Sequence, residues 1–166
     1  MTTTDDYATY IASLPRVLAG AAALYRDAEG RVLLVEPNYR EGWALPGGTV
    51  ESDLGESPRT AARRESAEEI GIDVPLGRLL AVDWSQDAAR PPLVAYLYDG
   101  GVLDAGQLAA VTLQEEELVS WLLVEPAELT TYLHGTLGLR TQEAYHVLQS
   151  GEGTVELENG RRPAAS

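Results

Sequence analysis

Residues 47–72 of the chain, GGTVESDLGESPRTAARRESAEEIGI, restrict its local structure more than any other segment does. Ser57 is a good helix N-cap, and Pro58 follows at the first helical position, where the missing N–H costs no hydrogen bond. Gly71 suits the left-handed conformation that commonly ends a helix. The segment therefore predicts a helix over residues 58–70, preceded by a loop and a turn at the two glycines.

Three carboxylates of this predicted helix lie on one face. Glu65, Glu68 and Glu69 are spaced at i, i+3 and i+4, where each like-charge pair destabilises a helix by a few tenths of a kcal/mol. A hard divalent cation such as Mg²⁺ reverses the sign of this interaction, because it binds carboxylate oxygens. Two adjacent glutamates alone would more often form a solvated surface. The preceding WALPGG of residues 43–48 favours a metal site, because it predicts a strand that ends in a tight turn near a ligand.

The segment resembles the signature sequence of the Nudix hydrolases, the Nudix box of residues 48–72. From Glu56 onward the spacing of the box is kept at the following residues: Arg64, Glu65, Glu68, Glu69, Gly71 and Ile72. Two features differ. Seven residues instead of five separate Gly48 from Glu56, so the loop is two residues longer, and Ser66 stands at an aliphatic position. Loops tolerate insertions, and neither difference removes a carboxylate.

The resemblance implies Mg²⁺-dependent hydrolysis of a phosphoanhydride bond, with Mn²⁺ as a substitute cation. The substrate would be a small molecule, a nucleoside diphosphate derivative or a nucleoside triphosphate. Metal ions in such sites neutralise phosphate charge and lower the pKa of bound water. The implied metal ligands are Glu65, Glu68, Glu69, the carbonyl of Gly48 and, from the acidic run 115–117, Glu116.

The resemblance also implies that Arg64 orients the carboxylates and that Glu56 orients Arg64, so that Glu56, Arg64, Glu65 and Glu68 form the catalytic set. The general base is one of the acids and stays unassigned. Without the box, Arg64 would be interpreted as a surface ion pair with Glu68, worth about 1 kcal/mol or less.

Four aromatic residues are candidates for stacking on the substrate, a contact worth roughly 1–3 kcal/mol for a base. They are Tyr39, Trp43, Trp84 and Tyr96. Packing in the core or against the sheet is the alternative for each of them.

Composition and charge limit the other classes of protein. The chain has no cysteine, which excludes disulfides and thiolate chemistry. The apolar run of residues 17–25 is too short to span a membrane, so a cytoplasmic protein is expected. A net charge of −14 argues against binding long nucleic acid, whereas a small anionic substrate still binds where a metal ion reverses the local field. The oligomeric state stays open, and a homodimer is one of the alternatives.

The rest of the sequence predicts a single α/β domain over residues 1–166, with flexible ends at 1–6 and 161–166. Strands are predicted over residues 17–25, 31–36, 78–84, 93–98, 118–124 and 154–158. Further helices are predicted over residues 4–13, near 126–133 and over 141–149, with Pro91 and Pro92 in a loop. This order predicts a mixed β-sheet packed between helices, which is also the Nudix α/β/α sandwich.

Two other functions remain open. A hydrolase of a non-nucleotide diphosphate, such as a prenyl diphosphate, would use the same acids. A nucleotide-sensing Nudix domain would bind its ligand without cleaving it. The complete set of acids argues against the sensing domain, since domains of this family that only bind commonly lose part of the set.

Overall fold

A seven-stranded mixed β-sheet forms the centre of the structure, a computed structural model that describes residues 4–164. The strands are β1 Leu18–Arg26, β2 Val32–Pro37, β3 Gly47–Thr49, β4 Leu79–Asp87, β5 Arg90–Val102, β6 Leu118–Val124 and β7 Val155–Glu158. The helices are α1 Thr4–Ser13, α2 Pro58–Ile70, α3 Ala105–Ala109, α4 Leu129–Tyr132 and α5 Gly135–Ser150. Two short 3₁₀ helices cover Ser52–Leu54 and Pro126–Glu128.

The strand order places the glycine turn at the middle of the sheet. The order is β6-β2-β1-β5-β4-β7, in which β1 and β5 are parallel, as are β4 and β7, while the other neighbours are antiparallel. β1 pairs with β2 only at Arg26 and Val32, next to the turn that joins them. Further along, β1 pairs instead with β3, so that Ala21 lies opposite Gly48 and Ala22 opposite Gly47.

Helices cover both faces of this sheet. Because successive side chains of a strand point to opposite faces, Leu24 packs in one core cluster and its neighbour Tyr25 in another. The first cluster contains apolar side chains of α4 and α5, and the second contains Ile70 of α2. The predicted α/β/α sandwich with a mixed sheet is therefore confirmed.

The helix predicted over residues 58–70 is α2, and the strand predicted over residues 118–124 is β6. The other five predicted strands occur with shifted ends. The helix predicted from residue 141 begins earlier, at Gly135. Its first turn contains Gly135 and Gly138, and glycine has a low helix propensity, so this turn carried no helical signal. Gly138 is nevertheless required, because a Cβ there would lie 2.1 Å from the carbonyl oxygen of Leu133.

The prediction of a loop at Pro91 and Pro92 was wrong, since both lie in β5. They follow a register shift of β4 between Ser85 and Asp87, and proline is tolerated in sheets at such irregularities. The strand predicted over residues 43–48 is reduced to a bridge between Ala44 and Val35 and to β3 at Gly47–Thr49. α3 was not predicted, because it is too short to show a clear periodicity.

Parts of the two ends belong to regular structure or form ion pairs. Thr4 to Asp6 belong to α1, and Arg162 forms ion pairs with Glu143 and Glu152. The flexibility of residues 1–6 and 161–166 stays a prediction. Residues 1–3 and 165–166 lie outside the described residues. Among residues 4–164, no helix combines the length and the apolar character that crossing a membrane requires.

Candidate functional site

α2 is capped at both ends, and this fixes which residues face the glycine turn. The Ser57 hydroxyl accepts a hydrogen bond from Thr60 N at 3.3 Å, and Gly71 ends the helix with φ 72°. Ser66, the residue at an aliphatic position of the box, is buried. Its hydroxyl donates to Ala62 O at 2.7 Å, so the buried polar group is satisfied within the helix.

The two glycines allow α2 to approach β3 closely. A Cβ at Gly47 would lie 2.4 Å from the carbonyl oxygen of Ala21, and one at Gly48 would lie 2.4 Å from Oε1 of Glu65. Gly47 N donates to Oε2 of Glu69 at 2.8 Å. Glu65 thus lies against the backbone of the turn at Gly48, and Glu69 accepts a hydrogen bond from the amide of Gly47.

Arg64 holds three carboxylates and the end of β3 together. Its Nε and Nη2 donate to the two oxygens of Glu56 at 2.8 and 3.1 Å, and Nη2 also donates to Thr49 O at 3.2 Å. Its Nη1 donates to Glu65 at 2.9 Å and to Glu68 at 3.1 Å. These contacts use all five N–H groups of the guanidinium. They also keep the pKa of Glu56 below its usual value.

The surroundings of two of the carboxylates disfavour the charged form. Burial raises the pKa of Glu69 to about 8, although the hydrogen bond from Gly47 N opposes the rise, and the charges of Glu65, Glu117 and Glu68 add to it. Burial likewise raises the pKa of Glu65, against the opposing effect of Arg64. Glu69 is 5% exposed, so little solvent screens this repulsion.

A cavity of about 620 Å³ opens between α2, the glycine turn and the loop before β6, and we call it the acidic cavity. The predicted residues that line it are Tyr39, Gly48, Arg64, Glu65, Glu68, Glu69 and Glu116. Glu117, which was not predicted, lines it as well, and it is the residue of the acidic run whose charge raises the pKa of Glu65 and Glu69. Asn38 fixes this run, since its N and Nδ2 donate to the carbonyls of Glu117 and Glu116.

Two further cavities lie near the site, and the first of them borders the glycine turn. The apolar cleft, of about 150 Å³, is lined by Gly47, Gly48 and the apolar residues Ala21, Ala22, Leu93 and Leu97 of β1 and β5. The arginine cavity, of about 540 Å³, is lined by Arg40, Arg90 and Arg140 together with Trp43 and His134. Arg40, Leu93, Leu137 and Arg140 line both of them, so the cleft and the arginine cavity are adjacent.

The structure brings together most of the residues that the sequence singled out. Of the four aromatic candidates, Tyr39 lines the acidic cavity, Tyr96 the apolar cleft and Trp43 the arginine cavity. Trp84 lines none of these three cavities. It is 39% exposed on β4, and its carbonyl accepts from Asn159 N.

The acids fit a hard divalent cation by their chemistry, since the donors are all oxygens. Within residues 4–164, no three acidic or histidine side chains already converge as a ready-made metal centre. Glu65 and Glu68 are bonded to Arg64 instead, and Glu69 is bonded to Gly47 N. Each of these contacts uses one oxygen of its carboxylate, so a cation could bind the other oxygens while Arg64 and Gly47 N keep their hydrogen bonds.

Comparisons with known proteins bear on the family and the fold. The chain matches the family model of the NUDIX domain over residues 16–148. Diphosphoinositol polyphosphate phosphohydrolase 2 of Rattus norvegicus is 45% identical over 62 residues, which are 37% of this chain and 34% of that protein. The putative ADP-ribose pyrophosphatase YjhB of Bacillus subtilis is 40% identical over 70 residues, 42% of this chain and 33% of that protein.

The chain thus matches about a third of the length of these two curated relatives. Among solved structures, the NUDIX domain of Shewanella oneidensis NrtR, complexed with ADP ribose, superimposes with a TM-score of 0.67 at 20% identity. The match covers 90% of this chain and 99% of that domain. At this identity the likeness concerns the fold.

Proposed function

This chain belongs to the Nudix family, and on that premise we propose that it hydrolyses a phosphoanhydride bond of a small diphosphate compound. The observation that supports this most directly is the arrangement at the glycine turn. There, Glu65 packs on Gly48 and Glu69 accepts from Gly47 N, while Arg64 ties Glu65 to Glu56. The proposed cofactor is Mg²⁺, with Mn²⁺ as a substitute.

The residues that would hold the metal are Glu65, Glu68, Glu69 and the carbonyl of Gly48. A divalent cation bound there supplies charge neutralisation at the phosphates and lowers the pKa of a bound water. Arg64 positions Glu65 and Glu68, and the bidentate contact with Glu56 fixes the plane of its guanidinium. Gly47 N holds the Glu69 carboxylate towards the acidic cavity.

The proposed substrate is a nucleoside diphosphate derivative or a nucleoside triphosphate, in a cytoplasmic protein that does not bind long nucleic acid. The acidic cavity would take the phosphoanhydride, and the apolar cleft that continues from Gly47 and Gly48 would take the group attached to it. The names of the two curated relatives add diphosphoinositol polyphosphates and ADP-ribose to the compounds that should be tested first.

A screen of diphosphate compounds tests the proposed reaction. The purified protein is expected to release phosphate or a nucleoside monophosphate from at least one compound, in Mg²⁺ and not in chelator. Glu68→Gln should reduce this rate by at least about 100-fold, because the metal loses a ligand. Asp73→Asn is the matched control, since Asp73 lies just beyond α2 and pairs with Arg63 on the surface.

The outcome of the screen separates the alternatives. If only prenyl or other non-nucleotide diphosphates are hydrolysed, the proposed nucleotide substrate is wrong and the proposed catalytic site is retained. Binding of a nucleotide with no turnover under any condition would favour the sensing domain. Undiminished turnover by Glu68→Gln would contradict the assignment of the acids.

Glu117 is a further proposed residue of the site, in preference to Glu116. Its charge acts on both Glu65 and Glu69, which places it close to the proposed metal ligands. Glu117→Gln is therefore expected to reduce kcat at least about tenfold, in line with removal of a metal ligand or general base. Glu116→Gln is the control with the same charge change on the adjacent residue, and kcat should change less than twofold. A larger loss in Glu116→Gln than in Glu117→Gln would restore the original assignment of Glu116.

A further inference from the structure

The arginine cavity is lined by a buried arginine, Arg140, that has no role in the proposed reaction. The side chain of Arg140, on α5, is only 8% exposed and lies beside Asp83 of β4, with 3.3 Å between Nε and Oδ2. Neither of these two atoms has a hydrogen-bond partner in the described part of the chain. The other oxygen of Asp83 accepts from Gly160 N at 2.9 Å. Asp83 is thus tied to the backbone, whereas Arg140 Nε is not hydrogen-bonded to it.

The ion pair between Arg140 and Asp83 lacks hydrogen-bond geometry. Buried polar atoms are nearly always hydrogen-bonded, and an arginine that serves to hold a carboxylate usually does so with two parallel hydrogen bonds. The Nε of Arg140 makes no such bond to Asp83. Arg140 also lines both the apolar cleft and the arginine cavity, so it borders the space that a ligand there would occupy.

A second arginine of the cavity is held by neutral acceptors. Arg90 donates from Nη2 to the Ser85 hydroxyl at 3.2 Å and from Nη1 to Pro91 O at 3.1 Å. Burial lowers the pKa of Arg140, the charge of Asp83 opposes this, and the charge of Arg90 adds to the lowering. The two guanidinium groups therefore repel one another across the cavity wall, and an anion between them would relieve the repulsion.

The lining contains three arginines and two carboxylates. Arg40 is exposed and donates to the carbonyl of Glu41. Glu41 and Asp87 are the acidic residues of the lining, and both are exposed; one oxygen of Asp87 accepts from Ala89 N within the β4–β5 turn. The third carboxylate nearby, Asp83, lies behind Arg140 and is not part of the lining, so the surface that faces the cavity carries more arginines than acids.

The arginine cavity lies close enough to the acidic cavity for one ligand to occupy both. Gly47 and Gly48 line both the acidic cavity and the apolar cleft, and Arg140 lines both the cleft and the arginine cavity. A single molecule laid across the cleft would thus have one end at the carboxylates of α2 and the other at the arginines.

We propose that the arginine cavity binds a second anionic group of the substrate, a phosphate monoester. The substrate would then be a diphosphate compound that carries a further phosphate on the group to which the diphosphate is linked. Arginine suits this task because its planar fork matches phosphate oxygens. That the same ligand also carries a diphosphate at the acidic cavity rests on the proposed function. The binding of an anion in the arginine cavity does not.

Inorganic phosphate tests the anion site by itself. In chelator, phosphate should raise the midpoint of thermal unfolding of the wild type, because a ligand of the native state stabilises it. Arg90→Gln and Arg140→Lys should lose at least half of this shift, since the lysine keeps the charge beside Asp83 and loses the fork. Arg16→Gln, an exposed arginine outside the cavity, is the matched control. Equal shifts in all four proteins would overturn the anion site. If Arg140→Lys does not fold, Arg90→Gln decides.

Matched substrates test whether the anion belongs to the substrate. ADP-ribose and ADP-ribose 2′-phosphate form one pair, and dephospho-coenzyme A and coenzyme A form another. For at least one pair, kcat/KM should favour the phosphorylated member about tenfold or more, and Arg90→Gln should remove the preference, as expected for charged hydrogen bonds. No preference in either pair would overturn the assignment to the substrate. Failure to cleave any diphosphate would count against the proposed function, while the phosphate titration would still decide the anion site.

Discussion

Replacing Glu69 with glutamine is expected to reduce Mg²⁺-dependent turnover by at least about 100-fold and yet to stabilise the metal-free protein at alkaline pH. Turnover falls because the proposed metal loses a carboxylate. Glutamine keeps the shape of the side chain and leaves an oxygen that can accept from Gly47 N, so the contact that holds the turn is retained. The same change removes a buried charge that no cation compensates in the absence of metal.

The pH dependence of the stability follows from the direction of the shift. The folded protein raises the pKa of Glu69 from 4.5 to about 8, so the unfolded chain releases this proton first as the pH rises. The free energy of unfolding therefore falls between about pH 4.5 and pH 8 and then levels off. The loss amounts to a few kcal/mol, since each pKa unit corresponds to about 1.4 kcal/mol. Below pH 4.5 both states hold the proton, and the effect is absent.

Urea unfolding in chelator at pH 5 and pH 9 measures this effect. The wild type should lose stability between the two pH values, and Glu69→Gln should lose less of it. Addition of Mg²⁺ at pH 9 should stabilise the wild type more than the variant. Asp73→Asn, with its exposed carboxylate, should follow the wild type. If the free energy of unfolding of the wild type and of Glu69→Gln changes equally with pH, burial does not raise the pKa of Glu69.

The second large effect is expected from one methyl group at the glycine turn. In Gly48→Ala the new Cβ would lie 2.4 Å from Oε1 of Glu65, which is the end of a flexible side chain and can move. We therefore expect kcat/KM to fall about 10- to 100-fold, with a midpoint of thermal unfolding close to that of the wild type. Steady-state kinetics and thermal unfolding on the same sample measure both quantities.

Gly47→Ala is the contrasting variant. There the Cβ would meet the carbonyl oxygen of Ala21 at 2.4 Å and Cα of Ala22 at 2.6 Å, and backbone atoms within a sheet cannot move aside cheaply. A loss of stability of about 1–3 kcal/mol or more is expected. Combining Gly48→Ala with Glu65→Gln tests whether Gly48→Ala lowers kcat/KM by displacing Glu65. The double variant should be little worse than Glu65→Gln alone, and fully multiplicative losses would mean that Gly48 acts independently of Glu65.

The sequence was sufficient for α2, because its ends carry strong local signals. Ser57, Pro58 and Gly71 each act through backbone chemistry within a few residues, and the helix begins and ends where they predict. The strands were also predictable to within a few residues from local sequence signals. In β1, for example, the neighbours Leu24 and Tyr25 pack in two different core clusters, as expected for a strand. The strand predicted over residues 43–48 was displaced, because the three residues of β3 are defined by their pairing with β1 and not by a pattern.

The parts of the site that depend on distant contacts could not be obtained in this way. The run of Glu115, Glu116 and Glu117 offers three identical side chains, and only the fold decides which of them acts on Glu65 and Glu69. Arg140 gave no signal at all, because it occupies an ordinary position in a helix whose first turn was itself missed. Its importance comes from Asp83, far away in sequence, and from the absence of a proper hydrogen bond between them.

The full use of the Arg64 guanidinium has a consequence for the protein without metal. Nη1 already joins Glu65 to Glu68, so these two carboxylates have a counter-ion whether or not the proposed cation is bound. Removing the cation with a chelator should therefore leave the backbone around the glycine turn in place, with the arginine still holding the acids together.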